Sequence, residues 1–339
     1  MDYDTKKPTL QYILLGVLCV GFFVYTAFNS TAITRSISQL SGPTIAFAQE
    51  SSTYAISEQL LGAIVRELSI LRRQNSLLQD EIDLARVGDT SPRKTPHIMI
   101  VAGHTKKSPG TIYGDTTEYE LNYELMKNLE KLLVKNGDYK VTVSHKGDEY
   151  TQELLDYFDK EQDSILAYRE RKKQAYSKEY PQGVTTNDTD HNYASDRGVL
   201  ELYGVNKWIG EHDVDIVVHV HFNDYPGRPW GEVGEHTGFS VFVPLKTNDH
   251  FIESFQFAKL IEQELLKHDT RSTVTKESAG VLESELIAVG QANSVQIPAV
   301  LVEGGFIYED KVTNKQTRTA TLNTMAESLY RAIERYTDT

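Results

Sequence analysis

The sequence predicts an α/β fold: a mixed, mostly parallel open sheet flanked by helices, preceded by an N-terminal transmembrane helix and a short coiled coil. Three observations carry this expectation. Apolar and β-branched runs at 98–102 (IMIVA), 216–221 (IVVHVH) and 297–306 (IPAVLVEGGF) read as buried strands. Helical patterns stand between and after them, at 117–133, 195–212, 250–267 and 316–336, and strands alternating with helices build a sheet covered on its faces. Ahead of these lie a long uncharged run and then a heptad repeat.

Residues 1–9 form a short tail carrying Lys6 and Lys7. Residues 10–28 (LQYILLGVLCVGFFVYTAF) contain no charge, and a helix of that length spans roughly 28 Å, close to a bilayer core. Two lysines in front and only Arg35 closely behind place the tail in the cytoplasm and the rest of the chain outside. A cleaved signal peptide is the rival reading, with small residues at Ser30-Thr31-Ala32 and Ala46-Phe47-Ala48. Both readings export the downstream domain, to the cell membrane or into the medium.

Residues 29–60 read as a Ser/Thr-rich linker. From 61 to 86, Leu61, Ile64, Leu68, Leu71, Asn75, Leu78, Ile82 and Ala85 recur at spacings of three and four, the seam of a coiled coil. With Leu61, Leu68, Asn75 and Ile82 at the a positions, Glu67 faces Arg72, Gln74 faces Gln79 and Glu81 faces Arg86 of a partner helix. These pairs fit a parallel homodimer, and a lone Asn at an a position sets register; a single amphipathic helix packing on its own domain is the rival reading. Residues 87–96 (VGDTSPRKTP) form a second linker, so the folded domain is expected at 97–339.

A formal net charge of −13 and no basic stripe argue against nucleic acid as a partner. The single cysteine, Cys19, falls in the apolar run, so neither a disulfide framework nor a cysteine-based metal site is available.

The chemistry begins at Gly103-His104, where the strand at 98–102 stops. A loop rich in Gly, Pro, Ser and Lys follows, and then Thr117-Glu118-Tyr119-Glu120 opens a helix whose apolar face is Leu121, Leu125, Leu129, Leu132 and Leu133. Thr117 and Glu120 have the spacing of a capping box, which leaves Glu118 projecting from the first turn. In the strand at 216–221, period two puts His219 and His221 on one face, with His221 at the end. The last strand ends in Glu303. Ligands bind at the carboxyl edge of open α/β sheets, and two His with one Glu and an open position is the usual ligand count of a catalytic zinc. The remaining carboxylate is then available as a general base.

Residues 147–192, charged and rich in Tyr, read as a surface insertion rather than core, and as a lid over the cleft in the sharper version. His145, His191, His236 and His250 have no motif around them and read as surface or loop residues. His219 reads as a packed or supporting histidine, and Arg197 as one half of a structural ion pair near the site.

Residues 97–336 resemble the zinc-dependent N-acetylmuramoyl-L-alanine amidases of bacterial cell-wall turnover, the Amidase_3 family. Three motifs carry the resemblance, in order. Gly103-His104 is followed by Pro109-Gly110 and by a helix opening Glu118-x-x-x-Asn122. Arg197 and Asn206 precede a strand ending His221-Phe222-Asn223. Pro298 to Phe306 then matches Pro-Ala-Val-Leu-Val-Glu-x-Gly-Phe. The resemblance implies zinc held by His104, Glu118 and His221, with Glu303 as catalytic acid/base. It implies hydrolysis, by zinc-activated water, of the amide between N-acetylmuramic acid and L-alanine in peptidoglycan. The chain departs from the family at Val101-Ala102, where Asp-Pro is usual, at His145 in place of Arg, at His219 in place of Ser, and in the insertion. Two other functions share these residues: a zinc peptidase cutting within the stem peptide, and a catalytically silent wall-binding protein. A pure binder has no need of Glu303.

Overall fold

The computed structural model describes residues 94–179, 196–284, 288 and 295–338. By its contacts the chain separates into Met1–Pro92 and Arg93–Thr339. The expected membrane span at 10–28, the coiled coil at 61–86 and the linkers up to residue 93 lie outside the described residues. Among the described residues, no helix is long and apolar enough to cross a membrane.

Along the second unit the elements are β1 (His97–Ala102), the hairpin β2 (Ile112–Tyr113) and β3 (Thr116–Thr117), α1 (Glu118–Asn136) and β4 (Lys140–Val143). A second hairpin, β5 (His145–Lys146) and β6 (Glu149–Tyr150), leads to α2 (Gln152–Lys160), α3 (Gln162–Glu179) and α4 (Asp196–Glu211). Then come β7 (Ile216–Asn223), β8 (Ser240–Val243), α5 (Phe251–Leu265), β9 (Val281–Glu283), β10 (Ala299–Phe306), α6 (Asp310–Thr313) and α7 (Lys315–Thr337).

Six strands make the central sheet in the order β4-β1-β7-β10-β8-β9. All neighbours are parallel except β10 and β8, which is the expected mixed, mostly parallel sheet. The central strands β1, β7 and β10 are buried nearly throughout because both faces are covered. On one face Ile98, Ile100, Val218, Val220, Val300 and Val302 pack with the apolar sides of α1, α5 and α7. On the other, Met99, Val101, Val217 and Leu301 pack with α2, α3 and α4. The chain leaves β1 for β4 on one side and later returns to β7 on the other. The crevice between the ends of β1 and β7 is therefore the topological switch point, where ligands bind in such sheets.

Two expectations are corrected here. The segment at 147–192 is not merely a surface decoration. Tyr150, Leu154, Phe158 and Ile165 from its described part are buried in the second-face core, and the Phe158 ring lies against Gly204 of α4, where an added Cβ would come within 2.6 Å of it. The apolar positions are diluted by surrounding Asp, Glu, Lys and Gln, which hides the stripe from a composition reading. The capping box is also absent. Thr117 caps α1 without a side-chain bond. The helix's first donors are instead met by loop carbonyls, Glu118 N–H by Thr111 at 3.0 Å and Tyr119 N–H by Pro109 at 3.1 Å. The far end follows the rule for helix termini: Gly137, at φ 85°, takes the left-handed conformation that closes the last turn.

Candidate metal and catalytic site

The His104 loop is shaped by backbone requirements that the side chains then exploit. Gly103 donates its N–H to Val220 O at 3.0 Å, which ties the end of β1 to β7. A Cβ there would sit 2.1 Å from the His221 ring, so the absent side chain is what lets the imidazole lie against the backbone. His104 follows with φ 66°, a left-handed conformation that non-glycine residues seldom adopt. Such strain persists only where surrounding structure holds it. Here the neighbouring turn is pinned by reciprocal Thr105 and Ser108 backbone bonds and by Lys106 N–H to Asp148 O at 3.0 Å.

Three side chains meet at the switch point. His104 Nε2 is 3.2 Å from Glu118 Oε2, and His221 Nδ1 is 2.9 Å from Glu118 Oε1. The two imidazoles stand edge to face, centroids 5.2 Å apart. One ligand atom from each of the three residues lies within 4.8 Å of the others. Two imidazole nitrogens and a carboxylate are donors able to hold a metal ion, and the carboxylate's two oxygens already face the two rings. Burial opposes charge on both partners, yet the ion pair prevails. Glu118 is held well below the usual carboxylate range by His104 and His221, and Glu118 lifts His104 above its usual value.

Supporting groups surround Glu118. Thr111 N–H donates to its Oε2 at 3.0 Å, and Asn122 Nδ2 reaches its Oε1 at 3.4 Å while donating to Gly103 O at 3.0 Å. Asn122 thus joins the carboxylate's helix to the loop carrying His104. Asp224 accepts from Thr111 Oγ1 at 2.8 Å and pairs with Arg228. Glu303 stands on β10 directly beside His221, its register partner on β7. Its other neighbour is Ser240 on β8.

All four expected residues, His104, Glu118, His221 and Glu303, line one cleft of about 790 Å³. Arg197 lines it too, paired with Glu201 at 2.6 Å and Asp159 at 3.4 Å, as expected of a structural ion pair. Glu149, Tyr150 and Leu155 bring the segment at 147–192 to its wall. Gly103, Thr111 and Asp224 carry supporting contacts that sequence reasoning did not assign. The Gly-His pair was the available signal for the first, whereas the other two depend on loop geometry alone.

Two histidines differ from their expected settings. His145 is buried rather than exposed: its Nδ1 lies 2.7 Å from Ser144 Oγ and its ring packs on Tyr150 with centroids 4.3 Å apart. Burial pushes its pKa down to about 4. His219 is packed, as expected, and burial pushes it to about 3. His236 is largely covered by Tyr225, at a centroid distance of 4.3 Å. His191 lies outside the described residues.

Comparison with known proteins adds the family. Among solved structures, the chain is similar to the CwlD amidase from Clostridioides difficile in complex with the GerS lipoprotein, at 17% identity and TM-score 0.47, covering 72% of this chain and 98% of that one. It is similar to the N-acetylmuramoyl-L-alanine amidase AmiC2 of Nostoc punctiforme at 15% identity and TM-score 0.46, covering 73% and 100%. The amidase Ami1 from Mycobacterium smegmatis stands at 16% and 0.46, covering 73% and 98%. No curated protein matches the chain. The profile of Amidase_3, N-acetylmuramoyl-L-alanine amidase, matches residues 98–335, well over half the sequence. The chain belongs to the Amidase_3 family of N-acetylmuramoyl-L-alanine amidases, hydrolases of the amide bond that joins the stem peptide to the glycan of peptidoglycan.

Proposed function

We propose that the chain performs this hydrolysis with a zinc ion held by His104, Glu118 and His221, and with Glu303 as acid/base. The observation that carries the metal is the convergence of two imidazoles and one carboxylate within 4.8 Å at the sheet's switch point. When bound, zinc supplies a Lewis acid that polarises the substrate carbonyl and lowers the pKa of water towards about 7.

The chain's own residues supply the rest. Glu303, beside His221 on the adjacent strand, takes the proton of the attacking water and passes it to the leaving amine of L-alanine. Asn122 and the Thr111 N–H hold the Glu118 carboxylate towards the two rings, the supporting contacts that orient metal ligands. The charge pattern of residues 1–35 supports anchoring by residues 10–28 with the catalytic domain outside the membrane, and the heptads support a parallel dimer through residues 61–86.

The test is product analysis. The purified full chain is incubated with peptidoglycan after chelation and again after zinc is restored, and released fragments are identified by mass spectrometry. Stem peptides beginning with free L-alanine, present only with zinc, are expected. Products cut within the stem would make it a peptidase, and undiminished release after chelation would remove the metal from the reading.

A further inference from the structure

The cleft contains a polar group that the proposed chemistry does not use. His219 precedes His221 by two residues on β7, so both rings lie on the same face of the sheet. Its register partners are Val101 on β1 and Leu301 on β10. With Val205 and Phe242, these residues give the cleft an apolar floor around the imidazole. His219 is only 2% exposed, and its Nε2 is buried without a hydrogen-bond partner. A buried donor or acceptor left unmade costs about 1–3 kcal/mol, and folded proteins rarely leave one so.

An apolar floor with one unmet imidazole nitrogen suits a small group that is part methyl and part amide: the floor takes the carbon and the ring takes the polar atom. Two groups of that chemistry flank the scissile bond of the substrate, the N-acetyl group of the sugar and the L-alanyl unit of the peptide. We infer that His219 is a substrate-contacting residue that hydrogen-bonds a methyl-bearing amide next to the scissile bond. It thereby sets which peptidoglycan fragments the cleft accepts. This rests on the amidase reading above. A site built to hydrogen-bond a substrate group rejects an analogue lacking that group more strongly than apolar contact alone does.

The test crosses variants with substrate analogues. Wild type, His219→Leu and His219→Gln, each loaded with zinc and checked for fold and zinc content, act on three soluble muropeptides. One is intact, one lacks the N-acetyl group, and one has the alanyl carbonyl reduced to methylene. On the intact substrate, His219→Leu is expected to lower kcat/KM about tenfold, the value of one hydrogen bond of about 1.4 kcal/mol, and His219→Gln to recover most of it. On the analogue lacking the group that His219 holds, the loss shrinks to less than about twofold, as expected when both sides of one contact are removed. Which analogue behaves so separates acetyl from alanyl. Equal losses on all three substrates overturn the inference while leaving the amidase reading intact, whereas a wild type that cleaves none of them removes both. If His219→Leu does not fold, a crystal structure of the Glu303→Ala variant with bound muropeptide decides. A substrate polar atom within hydrogen-bond distance of a His219 nitrogen supports the inference, and an ordered water in that place overturns it.

Discussion

Glu303 on β10 and His221 on β7 are register partners in adjacent parallel strands, so a carboxylate and an imidazole emerge side by side at the carboxyl edge of the sheet. Because both are carried by buried central strands rather than by loops, their spacing is set by the sheet's own hydrogen bonding. Glu303→Gln keeps the shape and removes the carboxylate proposed as the base. Zinc content is expected to stay at the wild-type level while turnover falls by about 10²–10⁴, the usual contribution of general acid–base catalysis. Metal analysis beside muropeptide release checks this, and full activity in the variant sinks the role of Glu303.

Gly103 makes a sharper structural test. Its φ is not left-handed, so alanine meets no backbone penalty there. The nearest obstacle is the His221 ring, 2.1 Å from the added Cβ. Gly103→Ala is expected to displace His221, weaken zinc binding at least about 10–100-fold, the scale for disturbed metal-site support, and leave the circular dichroism spectrum unchanged. Competition with a chelator of known affinity measures it, and unaltered affinity would show that the ring has another place to go.

The segment at 147–192 now carries a stability prediction in place of a simple lid. Phe158 is fully buried against Gly204 and in ring contact with Tyr150. Phe158→Ala should cost about 3–5 kcal/mol, read by urea unfolding. Deleting the whole segment should yield insoluble or unfolded protein rather than a more active enzyme. A soluble, fully active deletion would return the segment to the status of a decoration.

Acid sensitivity follows from the buried histidines. With His145 held at about 4 and His219 at about 3 by burial, the unfolded chain takes up protons near pH 6.5 that the folded rings refuse. Stability is therefore full above pH 6.5 and is lost as pH falls towards those folded values. Each ring accounts for roughly 2 kcal/mol between pH 7 and pH 5 by proton linkage. His104, raised by Glu118, acts in the opposite sense, so the informative comparison is wild type against one substitution. In chelator-treated protein, His145→Gln is expected to reduce the stability loss over that interval by roughly 2 kcal/mol. An identical pH slope for the two proteins counts against a neutral buried ring.

The legible parts of the fold were those whose environment repeats along the chain. β1, β7 and β10 are covered on both faces, so each reads as an unbroken apolar run, and the leucine stripe of α1 shows one face against the core. The hairpins β2–β3 and β5–β6 and the short strand β9 have only two or three residues each. Elements that short hold too few residues for a periodicity to register. The capping box failed for a different reason: Thr117 makes no side-chain bond at the start of α1, and loop carbonyls from Thr111 and Pro109 meet the Glu118 and Tyr119 N–H groups there.

The sequence by itself determined the α/β class, the three buried strands in or just after which His104, His221 and Glu303 stand, and the helix start bearing Glu118. Residue type and local period suffice for these. Only the tertiary structure decided that His104, Glu118 and His221 face one another, that Gly103 must lack a side chain, that His145 is buried, and that Phe158 belongs to the core. It also left the His219 Nε2 without a protein partner. These depend on strand order and on contacts between residues far apart along the chain. Such contacts arise when the sheet assembles, and no stretch of sequence contains them.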